Sequence, residues 1–171
     1  ADYQAIDTGD FLADQVLDTM RSEGVDSLDS RDFFVDYPEY TVNDLQYKTD
    51  MHWTTLAALL AAQSYVREIN RLTGANLDAS KLDVQNFDTE VHKNLFLGEY
   101  GQQVGEMNSG LDDITIFSPK EDSTFTRITI NRDGTEESAH GGFRDAVIHW
   151  DAFDTEPDGT NISGYIAYGL I

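Results

Sequence analysis

The chain has 171 residues, 40% apolar and 11% aromatic, enough for one domain with a packed interior and too few for two comfortable ones. Eleven Lys and Arg against 32 Asp and Glu leave a formal charge of −21, and the sign of that field excludes nucleic acid and anionic membrane surfaces as partners. There is no cysteine, which excludes disulfides, thiolate metal sites and a cysteine nucleophile together.

In chain order, the acidic stretch Asp7-Thr8-Gly9-Asp10 leads into Phe11, Leu12, Val16, Leu17 and Met20 at helical spacing, and Gly24 ends that helix. Val25 to Leu28 and Phe33 to Val35 are short pieces among acidic turn residues, and Pro38 starts a new segment in which Tyr40 to Leu45 approach a polar motif. The strongest helix is expected over residues 54–74. Thr54 is its N-cap, and Leu56, Leu59, Leu60, Val66, Ile69 and Leu72 form its apolar stripe. Arg67 and Arg71 lie on the last turns, and Gly74 closes it. Beyond it the chain becomes β-rich over 110–171: Ile114 to Phe117, Phe125 to Ile130 and Ala146 to Trp150 read as strands, with Asn131-Arg132-Asp133-Gly134 as a hairpin turn. The closing run Tyr165 to Ile171 is apolar with no polar tail, as in a domain cut short, so residues 1–171 are read as one domain or a large fragment of one. No charged-then-apolar leader opens the chain, and no apolar run approaches the roughly 20 residues of a membrane span.

Chemistry concentrates in Tyr47-Lys48-Thr49-Asp50-Met51-His52-Trp53-Thr54. Asp50 and His52 are two apart, so in an extended segment they face the same side. An aspartate that holds one ring nitrogen lets the other accept a proton from a hydroxyl nucleophile, which makes Asp-x-His two members of a triad. Trp53 would exclude water and offer a flat face to a sugar ring. Spacing alone favours a plainer reading, in which Asp50 caps the following helix and His52 packs beneath it.

The longer string reverses that preference. It resembles the Thr-Asp-x-His-Trp signature of the alginate O-acetylation proteins and of the bacterial family named for its Asp-His-His-Trp motif, both SGNH/GDSL-hydrolase-like. Thr49, Asp50, His52 and Trp53 match, and Met51 stands at the variable or second-His place. The likeness runs on through the helix, then Phe96-Leu97-Gly98-Glu99-Tyr100-Gly101-Gln102-Gln103-Val104-Gly105, Asp112-Asp113-Ile114 and Phe117-Ser118-Pro119-Lys120, covering most of 10–171.

The resemblance implies an α/β fold, an SGNH-type three-layer sandwich, incomplete here. It implies Asp50 and His52 as the acid-base dyad of a Ser-His-Asp triad, with Trp53, Tyr47 and Thr49 at the substrate. The activity implied is a carbohydrate O-acyl esterase or O-acetyltransferase, with an acylated polysaccharide as partner, no cofactor, and a location outside the bacterial cytoplasm. The family's serine lies downstream in a Gly-Asp-Ser or Gly-Thr-Ser block that this sequence lacks, so the nucleophile is expected beyond this chain. The alternative is a non-catalytic carbohydrate-binding or cell-surface module that keeps the fold.

Weaker candidates remain. Ser109 and Ser163 each precede a glycine, as an exposed nucleophile does, but such serines more often turn a loop. Asp154, Glu156, Asp158 and Gly159 imitate the start of a calcium loop, yet Pro157 interrupts it and Tyr165 stands where a bidentate Glu is needed. His92, His140 and His149 lack partners at ligand spacing, so no metal site is expected. Gly98, Gly101 and Gly105 read as a loop allowing close packing, and Asp112 and Asp113 as caps of the next strand.

Overall fold

The structure, a computed structural model, describes residues 8–121 and 123–148. The chain divides into two compact units, Ala1–Pro38 and Glu39–Ile171. In the first unit, helix α1 (Thr8–Ser22) is followed by Gly24, whose positive φ lets the Val25 amide turn back to the Met20 carbonyl at 2.9 Å. A short 310 turn, Ser30–Phe34, is capped by Asp29 and buries Phe33. Arg31 pairs with both Asp29 and Asp14 at 2.5 Å, and the Arg31 side chain and amide hold the Asp29 carboxyl down at about 2.

The second unit begins with a one-turn helix, α2 (Val42–Leu45). Thr41 and Asp44 form a reciprocal cap there: the Thr41 amide donates to the Asp44 carboxylate at 2.7 Å. Helix α3 (Thr55–Thr73) has the termini its sequence specifies, with Thr54 Oγ accepting from the Ala57 amide and Gly74 in the left-handed conformation at φ 71°. Its buried face is Ala57, Leu60, Ala61 and Gln63. The expected apolar stripe is covered only over the first turns, because Ile69 and Leu72 are 43% and 42% exposed.

Two antiparallel strand pairs follow. Strand β1 (Phe87–Phe96) pairs with β2 (Asp112–Pro119), from Phe87 opposite Pro119 to His92 opposite Ile114, and then again at Phe96 opposite Asp112. The irregularity between these registers is made by Asn94, whose φ is 51°, and the Asp113 carboxylate fixes it by accepting from the Asn94 amide at 2.8 Å. The extra residues bring Leu95, Phe96 and Leu97 successively into the core beside Ile114 and Ile116. Between the two strands the chain forms short helices α4 (Glu99–Val104) and α5 (Glu106–Ser109). Strand β3 (Phe125–Ile130) pairs with β4 (Glu136–Gly141) around the expected Asn131 to Gly134 turn.

The class is therefore mixed α/β with a β-rich second half. One expectation is corrected: Ala146 to Trp150 does not begin as a strand, because Ala146 closes a short helix α6 (Phe143–Ala146) started by Gly142. Ala146 and Ile148 are buried, and an apolar run this short does not distinguish strand from helix. His149 and Trp150 lie outside the described residues, as do Ser163 and the acidic stretch from Asp154 to Gly159.

Candidate active site

The segment between α2 and α3 is a tight excursion closed at its neck by backbone bonds. The Tyr47 amide donates to the His52 carbonyl at 3.3 Å and the Thr54 amide to the Leu45 carbonyl at 2.9 Å, while Gln46 and Trp53 form an isolated bridge. The six residues between Gln46 and Trp53 thus have little freedom of their own, and distant parts of the chain remove what is left.

Asp112 removes most of it. Its carboxylate accepts from the Thr49 amide at 2.8 Å, the Thr49 hydroxyl at 2.6 Å and the Lys48 amide at 3.3 Å. Thr49, 1% exposed, accepts in turn from the Gly98 amide at 2.9 Å, and its carbonyl accepts from the Gly101 amide at 3.0 Å. A side chain at Gly98 would place a Cβ 2.3 Å from the Asp50 Cβ and 2.5 Å from the Thr49 carbonyl, and one at Gly101 would lie 2.9 Å from the Thr49 Cβ. Glycine is required at both positions because the backbone of 98–101 is pressed against the motif.

Asp50 is 4% exposed and fully engaged. One oxygen accepts from the Glu99 amide at 2.9 Å; the other accepts from the His52 amide at 2.9 Å and pairs with His52 Nδ1. Burial alone would raise this carboxyl, but the Glu99 amide and then the His52 ring and amide outweigh it and hold it below its ordinary value of 3.8. A buried carboxylate with every bond made is tolerable where a bare one is not. The His52 side chain is 41% exposed and Trp53 40%, so a rigid buried acid orients an accessible imidazole.

Tyr47 and Thr49, expected at the substrate, lie beneath the surface at 6% and 1% exposure. The Tyr47 ring meets Phe96 edge-on with centroids 5.0 Å apart, and burial, against the relief of hydrogen bonding to Thr55, pushes its phenol up to about 12. Ser109 donates to the Gly110 carbonyl at 2.9 Å and so ties the end of α5. His140 bonds the Thr126 hydroxyl at 2.8 Å across β3 and β4, and His92 pairs with Glu90 at 2.9 Å. Among the described residues no group of three or more His, Asp or Glu side chains is placed to hold a metal ion.

Two grooves flank the motif. The smaller, about 240 Å³, has Asp50 and Tyr100 in its wall; the larger, about 450 Å³, includes neither Asp50 nor His52. They share Asn43, Gln46, Tyr47 and Lys48. The family described as the SGNH hydrolase-like domain of acetyltransferase AlgX matches residues 4–130, most of the chain. The chain belongs to this family. No curated protein and no solved structure matches it. In this AlgX-type chain the matched span holds the whole motif, the Gly98 to Gly101 buttress and Asp112. Within the described residues no helix is long and apolar enough to cross a membrane.

Sequence reasoning did not assign a role in the site to Asp112, Tyr100 or the Glu99 amide. Only the resemblance around Phe96 to Gly105 and Asp112 to Ile114 pointed near them.

Proposed function

We propose that Asp50 and His52 are the acid-base dyad of a carbohydrate O-acyl esterase or O-acetyltransferase that works outside the cytoplasm on cell-surface or extracellular polysaccharide. The observation that carries this reading is the pairing of a buried, fully bonded Asp50 with Nδ1 of an accessible His52. Family membership supports the acyl chemistry.

With Nδ1 engaged, Nε2 is the nitrogen that exchanges the proton. A serine hydroxyl, supplied from the block that the family resemblance puts downstream of the dyad, loses its proton to Nε2 as its oxygen attacks the acyl carbonyl. The tetrahedral intermediate collapses, the bond to the donor alcohol breaks, and the imidazolium returns the proton to the leaving oxygen. Water or a sugar hydroxyl then repeats both steps on the acyl-serine, giving ester hydrolysis or acetyl transfer. Asp50 stays ionised throughout and stabilises the imidazolium. Trp53 and Tyr100 offer aromatic faces to sugar rings near the dyad, and Thr49 and Tyr47 hold the dyad from below.

The test is p-nitrophenyl acetate hydrolysis and acetyl transfer by the intact protein. His52→Ala should lower kcat by about 10⁴-fold or more while the thermal midpoint stays within a few degrees of wild type. Turnover retained in that variant would remove His52 from the chemistry.

A further inference from the structure

We propose that Lys48 is a specificity-determining residue, whose ammonium holds an anionic substituent of the sugar ring presented to the dyad. The proposal rests on the dyad reading above and adds to it a charge on the substrate. It is carried by the charges left available in the groove that contains Asp50.

The formal charges in the wall of that groove are Asp50 and Lys48. Asp50 is spent: it is buried, and its oxygens accept from the Glu99 and His52 amides and pair with the His52 ring. Lys48 is not. Its side chain is exposed, and its Nζ makes no ion pair or hydrogen bond among the described residues. Nζ lies over the end of α5, where a Cβ added at Gly110 would be 3.4 Å away, and the Gly110 carbonyl there already accepts from the Ser109 hydroxyl at 2.9 Å.

A cation left unpaired beside the dyad stands out in a chain with 32 Asp and Glu against 11 Lys and Arg. Elsewhere cations are committed: Arg31 to Asp14 and Asp29, Arg71 to Glu68, Arg144 to Glu90, and Lys120 to the Gln85 carbonyl. Lys93, in the β1 irregularity, and Arg132, in the β3–β4 turn, have no such bond among the described residues either, but they line neither groove. In the larger groove Lys48 shares the wall with Asp44, Asp112 and Asp113, so an anion is favoured only on the Asp50 side, where no unengaged carboxylate opposes it.

An ammonium donates up to three hydrogen bonds and holds a carboxylate or a sulfate as a point charge. The charge of −21 repels an anionic polymer at long range, so the cation beside the dyad decides whether such a ring settles there. At about 240 Å³ the groove suits one ring and its substituents, below the ~300–1,000 Å³ of drug-sized ligand sites. Lys48 acts on binding and orientation, and proton transfer stays with His52.

The test is binding, measured by NMR titration and calorimetry on the full chain. The probes are a short oligogalacturonate, its neutral methyl ester and a sulfated galacto-oligosaccharide, at about 150 mM salt, which screens the long-range field more than a contact pair. Lys48→Met should weaken at least one anionic probe about 5-fold or more and the methyl ester less than ~2-fold, while Lys48→Arg keeps most of the affinity. The thermal midpoint should hold in both variants, because Nζ has no partner to lose. Loss with the uronate identifies a carboxylate as the group held, and loss with the sulfated probe a sulfate. The proposal is overturned by a Lys48→Met variant that binds both anions as before or loses the methyl ester equally, by a Lys48→Arg variant as weak as Lys48→Met, or by no binding of any probe to the wild type. Ester turnover insensitive to His52→Ala would instead fail the dyad reading while the Lys48-dependent binding still stood.

Discussion

Strands β1 and β2 and strands β3 and β4 form antiparallel ladders of similar length, yet the first pair buries Phe96 and Ile114 completely and the second has no buried residue at all. The difference follows from what each pair supports. Phe96 lies under Tyr47, and the turn after β1 delivers the Gly98, Glu99 and Gly101 amides to the motif, while β2 opens with Asp112. The β3–β4 ribbon packs its Phe125 against Phe143 of α6 and points Ile128 and Ile130 outward, 60% and 70% exposed. Rigidity is concentrated where Asp50 must not move, and the same backbone pattern elsewhere carries no such demand.

The largest stability effect should come from removing that foundation. Phe96→Ala deletes a completely buried ring and the edge contact to Tyr47, with a cost of about 3–5 kcal/mol in denaturant unfolding. A loss below about 1.5 kcal/mol, in the range of mild core changes, would show that β1 does not carry the core as argued.

Next is the buttress itself. Asp112→Ala leaves the Thr49 amide and hydroxyl without their acceptor at a position 1% exposed, at a cost of about 2–3 kcal/mol. Asp112 acts through Thr49 and not on substrate, so the distinguishing readout is the downfield Nδ1 proton of His52 in NMR. It should weaken or vanish in Asp112→Ala and recover in part in Asp112→Asn, which keeps one accepting oxygen. An unchanged His52 signal in the alanine variant would confine Asp112 to a purely structural role.

The contrast between these regions also marks where the sequence was legible. Thr54 and Gly74 declare the ends of α3 because capping chemistry is local, whereas Asp50 and His52 meet in a bent loop, where the Asp50 carboxylate also accepts from the His52 amide, and not in the extended segment expected of them. Asp112 is 64 residues from Lys48, and no local pattern announces a bond across that separation. Strand β1 is hidden for a different reason. Its alternating series Phe87, Thr89, Val91 holds only two apolar residues and breaks at Lys93, and its strong hydrophobic signal begins only after the bulge, at Leu95. The stripe on α3 overreached in the opposite sense: periodicity reports which residues share a face, and not how far along the helix that face is covered.

Tyr47 gives a smaller effect that reads out the packing of the same loop. Its phenol, raised from 10.0 to about 12, is still protonated in the folded protein when the unfolded chain has begun to ionise. The resulting stabilisation is fully present below pH 10 and lost as pH rises from 10 towards 12; two units correspond to about 2–3 kcal/mol. Absorbance of the phenolate at alkaline pH should show one tyrosine titrating late, and Tyr47→Phe should delete that step. If all tyrosines ionise together near 10 while the protein remains folded, the loop is more open than the Phe96 contact implies.

The smallest expected change tests the other side of the comparison. Ile130→Thr removes apolar surface that is 70% exposed and substitutes another β-branched residue, so strand propensity is kept and little burial is lost. The change in unfolding free energy should lie within about 0.5 kcal/mol, the range of ordinary surface substitutions. Ester turnover should be unaffected, because Ile130 pairs with Glu136 beside the hairpin turn and the motif draws its bonds from the turn after β1, from β2 and from α4. A loss comparable to that of Phe96→Ala would mean that the outward face of β3 is covered in solution, and the two strand pairs would then be alike in burial and different only in what they bury against.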